Sequence, residues 1–186
     1  LSPEHNYDEL KKAGYSFEEK ELLGKVDDKR DNNFLSFRDP SILEEKGKWI
    51  LTFGAKTEVN EELKSCVGHA IIDDIMNPHK MKIMPPLFIP GKDADFNQAG
   101  LPTLLKIKTN DNKEKFVLIL STTSFKMFMA DIEVHKTVRV YQNDTLDPKS
   151  WKPFGENYKI FDSRSTDPKK NKNYGFNPIF DFNNPT

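Results

Sequence analysis

Asp39–Glu45 (DPSILEE) and Leu101–Ile107 (LPTLLKI) are one phrase written twice. Each holds a proline, Pro40 or Pro102, then a hydroxyl residue and two aliphatics. Each leads into a Lys-headed apolar run, KWILTFGA from Lys48 and KFVLILST from Lys115. A third pair follows, VGHAIID and TVRVYQN, and then DIMNPHKMK from Asp74 matches DTLDPKSWK from Asp144 at a spacing of 70 residues. Short β-prone runs bounded by Pro, Asn, Asp and Gly read as strands. Strand propensity alone does not demand that turn residues and their flanks also recur.

Two units of 62 to 70 residues, each reading as four strands, predict an all-β chain. The architecture expected is a partial β-propeller: two four-stranded blades, residues 36–95 and 96–165, and the start of a third in 166–186 at GFNPIFDF. A β-sandwich with strands alike by composition is the alternative. Residues 1–35 differ. NYDELKKAGYSFEEKELLGK mixes short helical spacing with an interrupting Gly14, and the polar DDKRDNN follows, so an irregular lead-in with one or two helical turns is expected. Blades bury both faces only with neighbours. Two of them, against roughly four to eight in known rings, leave faces to be covered by missing sequence, by another chain or second copy, or by the lead-in.

Lys and Arg total 28 against 29 Asp and Glu, so no net field points toward nucleic acid or an anionic membrane. No apolar run approaches the roughly 20 residues that span a bilayer. The single Cys66 excludes an intrachain disulfide framework and reads as a small buried side chain. The histidines His5, His69, His79 and His135 are scattered, no Cys/His spacing matches a zinc site, and neither a metal nor a cofactor is expected. The first residue is Leu, which fits a processed export product or a fragment. A secreted or periplasmic location is the expectation, with the cytoplasm left open.

In a propeller the first strand of each blade lines the central channel, and Arg38 and Asp39 stand at such a start. A carboxylate beside a guanidinium suits holding hydroxyl groups or a developing positive centre, and is ill suited to giving up a proton. A structural ion pair is the plainer alternative. Trp49 and Trp151 read as packing residues before sugar platforms. Asn143–Thr145 (NDT) fits a glycosylation acceptor and also forms the repeated turn, and the turn is preferred.

The combination FRDPSILEEKGKWILTFGAKT, GHAIIDD, MPPLFIPG, LPTLLKI and KFVLILSTTS resembles the levansucrase-type β-fructosidases, five-bladed propellers that cleave sucrose and build or trim fructans. The invertase and arabinanase-like groups share that fold and the FRDP pattern. The resemblance covers Phe34 to the C-terminus. It implies that Asp39 stabilises an oxocarbenium-like transition state, and that Arg38, Asp39 and Gln98 contact sugar. A retaining glycosidase needs two further carboxylates. The family's nucleophile sits in a Trp-Asp motif of its first blade, and nothing upstream of Arg38 resembles it. Its acid/base glutamate belongs to a segment that here reads DFNQAGLP, with Gly100 in the donor's place, and glycine carries no acid. Asp93 and Asp95 lie nearby and read as an acidic turn.

The function expected is therefore a degenerate, truncated levansucrase-like propeller that binds sucrose or a fructan-type sugar at most. Two alternatives stand beside it: an enzyme completed by other sequence or another subunit, and an interaction module pairing through its blade edges.

Overall fold

Pro40 and Pro102 impose the same local solution on two strands. In the computed structural model, which describes residues 3–16, 37–91, 94, 96, 98–128, 131–156 and 158–162, they lie in β1 (Arg38–Glu45) and β5 (Gln98–Lys108). Proline has no N–H to give the ladder, so each strand bulges there. Arg38 pairs with Gly54 and Ser41 with Thr52, leaving one residue extra on β1. Gly100 pairs with Ser121 and Thr103 with Ile119, leaving one extra on β5. The residue before each proline takes the left-handed conformation, Asp39 at φ 57° and Leu101 at φ 47°. For a leucine that conformation is uncommon, so the second copy holds the geometry against its own side chain.

Each opening strand starts an antiparallel meander. The first sheet runs in order β1, β2 (Lys48–Val59), β3 (Glu62–Ile72) and β4 (Lys82–Phe88). The second runs β5, β6 (Glu114–Phe128), β7 (Asp131–Asn143) and β8 (Lys152–Pro153), while β9 (Lys159–Asp162) also pairs with β7. The chain is mostly β, as expected, although two short strands share the place where the second unit was expected to have one. The Lys-headed runs are strands, and each heading lysine meets an aspartate at the exit of the third strand: Lys48 with Asp73 at 2.8 Å, Lys115 with Asp144 at 3.2 Å. The Asn77-Pro and Asp147-Pro turns also match. Lys80 N–H donates to the Asn77 carbonyl at 3.1 Å and Ser150 N–H to that of Asp147 at 3.2 Å. Residues 163–186, which hold the expected third opening strand, lie outside the described residues.

The two sheets pack face to face. Ile50, Val67, Leu87 and Phe88 meet Leu104, Phe116, Leu118, Leu120 and Tyr141 in one core cluster. Each sheet also has an apolar opposite face. On the second it is Val117, Ile119, Val138 and Val140. On the first it is Phe53, Ala55, Cys66 and Ala70, packed against Leu10 and Tyr15 from the lead-in. Helix α1 (Pro3–Lys12) supplies Leu10 and ends at Gly14, whose φ of 92° turns the chain onto β2. The helix exceeds the one or two turns expected, since ten residues make nearly three. The Tyr15 hydroxyl donates to the Met84 carbonyl at 2.8 Å and accepts from His69 N–H at 3.1 Å. Ser16 N–H reaches the Lys56 carbonyl at 3.0 Å, so the lead-in continues along the edge of β2 where β1 turns away. Of the ways to cover an open face, the lead-in is the one used on the first sheet.

Gly68 permits this seal. A β-carbon there would drive into the Phe53 ring and come within 2.8 Å of the Tyr15 hydroxyl. Overpacking of that kind costs about 1–3 kcal/mol. Gly68→Ala is expected to lower unfolding free energy by about that amount in urea titration, and Gly91→Ala, with open space at its β-carbon, to leave it unchanged.

Candidate functional site

The bulge on β1 aims its carboxylate across the seam between the sheets. Asp39 Oδ2 accepts a hydrogen bond from Leu101 N–H at 3.1 Å and lies 3.4 Å from Arg38 Nε. The donor is the bulged residue of the other sheet, so the first copy's side chain satisfies the second copy's backbone. Gly100 beside it leaves room: a β-carbon there would stand 3.2 Å from Asp39 Oδ2 and 3.8 Å from an Arg38 terminal nitrogen. Arg38 and Asp39 are partly exposed, with side chains 30% and 25% accessible, so the pair opens to solvent. Gln98 heads β5, paired with Thr123 and half-buried.

Three more polar bonds cross the seam. Thr52 Oγ1 donates to the Pro102 carbonyl at 3.3 Å, Ala99 N–H donates to Ser65 Oγ at 2.8 Å, and Lys106 Nζ binds Glu45 at 2.8 Å. Buried backbone groups seldom stay unpaired. Here side chains of one sheet pair those of the next.

The ion pair that sequence reasoning raised for Arg38 and Asp39 is present, whereas the place of Gly100 against Asp39, read from sequence only as a missing acid, comes from the structure. Sequence reasoning missed Lys56. Strand alternation puts Lys56 on the same face of β2 as Ile50, Thr52 and Gly54, directly opposite Ser65. Lys56 is only 5% exposed. Burial lowers the affinity of its amine for a proton, with Cys66 opposing that shift and the Arg38 charge reinforcing it. Cys66 itself is buried, and burial raises its thiol well above the ordinary range. It is the inert packing residue expected, now placed on the α1 side of the sheet.

His69 belongs to the inward face too, opposite Thr52. Burial lowers its imidazole to about 4, partly offset by the Pro85 carbonyl, and its Nδ1 is buried without a partner. Trp151 packs beside the shared core, also with an unpartnered ring nitrogen. Asn143 is buried, donating to the Asp147 carbonyl at 2.8 Å and accepting from Thr145 N–H at 3.2 Å, so its amide serves the turn. A buried arginine, Arg139, lies 4.9 Å from the Phe96 ring centroid and donates to Thr122 Oγ1 at 2.9 Å. Among the described residues no cluster of His, Cys, Asp and Glu could hold a metal ion. Among the described residues no helix is long and apolar enough to cross a membrane. Asp93 and Asp95 lie outside the described residues. Neither a protein-family model nor a curated protein matches the chain.

Two outcomes follow from this geometry. Asp39→Ala leaves Leu101 N–H without its acceptor and puts alanine at positive φ, so urea titration should show a loss of about 1–3 kcal/mol. Asn tolerates that φ and keeps an acceptor, so Asp39→Asn should cost under about 0.5 kcal/mol. For His69 the folded-state value lies below the unfolded one, so the unfolded chain binds the extra proton between about pH 6.5 and 4. Stability is complete above that window and falls as the pH drops through it. Unfolding free energy should decrease by about 2 kcal/mol from pH 7.5 to 5, and His69→Gln should remove most of that slope.

Proposed function

We propose that the two sheets are adjacent blades of a levansucrase-like β-propeller, and that Arg38 and Asp39 form a sugar-contact rim with no glycosidic turnover of its own. The observation carrying this is the repeated bulge, with Asp39 and Leu101 in the same strained conformation at the same step of successive meanders and joined to each other by a hydrogen bond. The opening strands lie side by side along the seam, as inner strands do in a ring. A second support comes from the faces. Both sheets carry apolar clusters on both sides, which a ring of stacked blades requires and a two-sheet sandwich, with its solvated outer faces, does not.

At this rim Asp39 has one oxygen engaged by Leu101 and Arg38, leaving acceptor capacity on a partly exposed carboxylate for sugar hydroxyls. Gly100 stands where the resemblance calls for a proton donor and carries no side chain to supply one, with Asp39 Oδ2 beside it. Binding without hydrolysis is the consequence, because cleavage of the bond needs a donor to the leaving oxygen.

Isothermal titration with sucrose, fructose and short fructans tests the reading. Binding at millimolar ligand, weakened at least tenfold by Asp39→Ala and with no release of reducing sugar, is the expected result. Absence of heat at those concentrations contradicts the sugar rim, and release of reducing sugar by the purified chain contradicts the lack of turnover.

A further inference from the structure

His69 holds two neighbours at once. Between its own pairing with Met84 and that of Val67 with Phe88, β3 has one residue and β4 has three, so β4 bulges over Pro85 and Pro86. Prolines give no N–H to the ladder. Two carbonyls of this bulge are met by side chains instead: Met84 accepts from the Tyr15 hydroxyl at 2.8 Å, and Pro85 accepts from the His69 imidazole. The His69 backbone N–H in turn donates to the Tyr15 hydroxyl at 3.1 Å. One residue of β3 therefore fastens the last strand of the sheet through its ring and the lead-in through its backbone.

The ring fits its place in one charge state. Its Nδ1 is buried without a partner, so the other nitrogen is the donor to Pro85. A neutral imidazole can leave Nδ1 bare, whereas an imidazolium carries a second N–H and a charge into the core, and both are costly there. Thr52 stands opposite on β2. The charged groups on the surrounding strands are Lys56 on the same face of β2, Lys82 opposite Ile71 on β4, and Arg38 and Asp39 on β1, while β5 from Gln98 to Leu105 brings none. Tyr15 is the titratable group of the lead-in against it. Burial is the dominant influence on the ring, with the Pro85 carbonyl opposing it. Pro85 itself is exposed, so the bulge joins the buried ring to the surface. We propose that His69 is an acid-operated latch: its protonation releases the Met84–Pro86 bulge together with Tyr15, and frees the lead-in from the far face of the first sheet while β5, β6 and β7 stay paired. The face uncovered holds Phe53, Ala55 and Cys66. The latch needs no ligand and stands apart from the sugar-rim reading.

Amide exchange of the whole chain at pH 7.5 and pH 5, each corrected for the intrinsic rate, tests the latch. The probe is Ser16 N–H, bonded to the Lys56 carbonyl, and the core amide of Leu118 is the reference. Ser16 is expected to be less protected than Leu118 at both pH values, and insensitive to low urea as local openings are. Its protection should be about 30-fold weaker at pH 5, the factor given by a ring that titrates at 6.5 when open and at about 4 when closed. Dithiodipyridine labelling of Cys66, taken relative to the urea-unfolded chain at the same pH, should rise by a similar factor. Tyr15→Phe cuts the tie between His69 and the lead-in, so Ser16 should then exchange faster at pH 7.5 and lose its pH dependence. Ser16 protection equal to that of Leu118 means that the lead-in leaves only with the whole fold, and protection unchanged between the two pH values means that it leaves without exposing His69. Either result overturns the latch, whether or not the variant folds.

Discussion

The hydrogen bond from Leu101 N–H to Asp39 is the constraint on which the arrangement depends. Each proline interrupts its ladder at a bulge, and the first copy's Asp39 carboxylate accepts from the second copy's Leu101 N–H. Face-to-face packing of apolar sheets is non-directional and would tolerate sliding. The polar bonds at the seam fix the register: Thr52 to the Pro102 carbonyl, Ala99 to Ser65, and Lys106 to Glu45. The same bonds leave Arg38 and Asp39 at an accessible rim, so stability and site share one set of residues.

The lead-in plays a different part. Leu10 and Tyr15 close the far face of the first sheet, and Tyr15 joins β3 to β4 through one hydroxyl, accepting from His69 and donating to Met84. That seal needs Gly68, since any larger residue collides with the Phe53 ring. The opposite face of the second sheet is apolar too, and its Val117, Ile119, Val138 and Val140 are likewise buried.

Much of the fold was legible because proline and turn residues act locally. Pro40, Pro102 and the Asn-Pro and Asp-Pro turns dictate geometry whatever surrounds them, so the repeat in sequence became a repeat in structure. Gly100 was legible as a missing acid, although its closeness to Asp39 was not, because two sheets had to be docked before the two residues met. Lys56 and Arg139 escaped for a common reason. In a strand buried on one face, alternation tells inside from outside, but β2 and β7 are apolar on both faces, and a charged residue there gives no sign of which way it is buried. Parity with Thr52 and Gly54 was the one signal that could have placed Lys56 on the inward face. The length of α1 was missed because Gly14 marks its end and nothing in the charged run before it fixes its start.

Native-state hydrogen exchange of the Leu101 amide tests the central claim most directly. If the Asp39 carboxylate holds the two sheets in register, Leu101 is protected in the native chain, and Asp39→Ala speeds its exchange by well over the factor by which global stability falls, as read from the core amide of Leu118. Exchange at Leu101 that stays unchanged in the variant, or that rises only in step with Leu118, would mean that the carboxylate does not hold the seam.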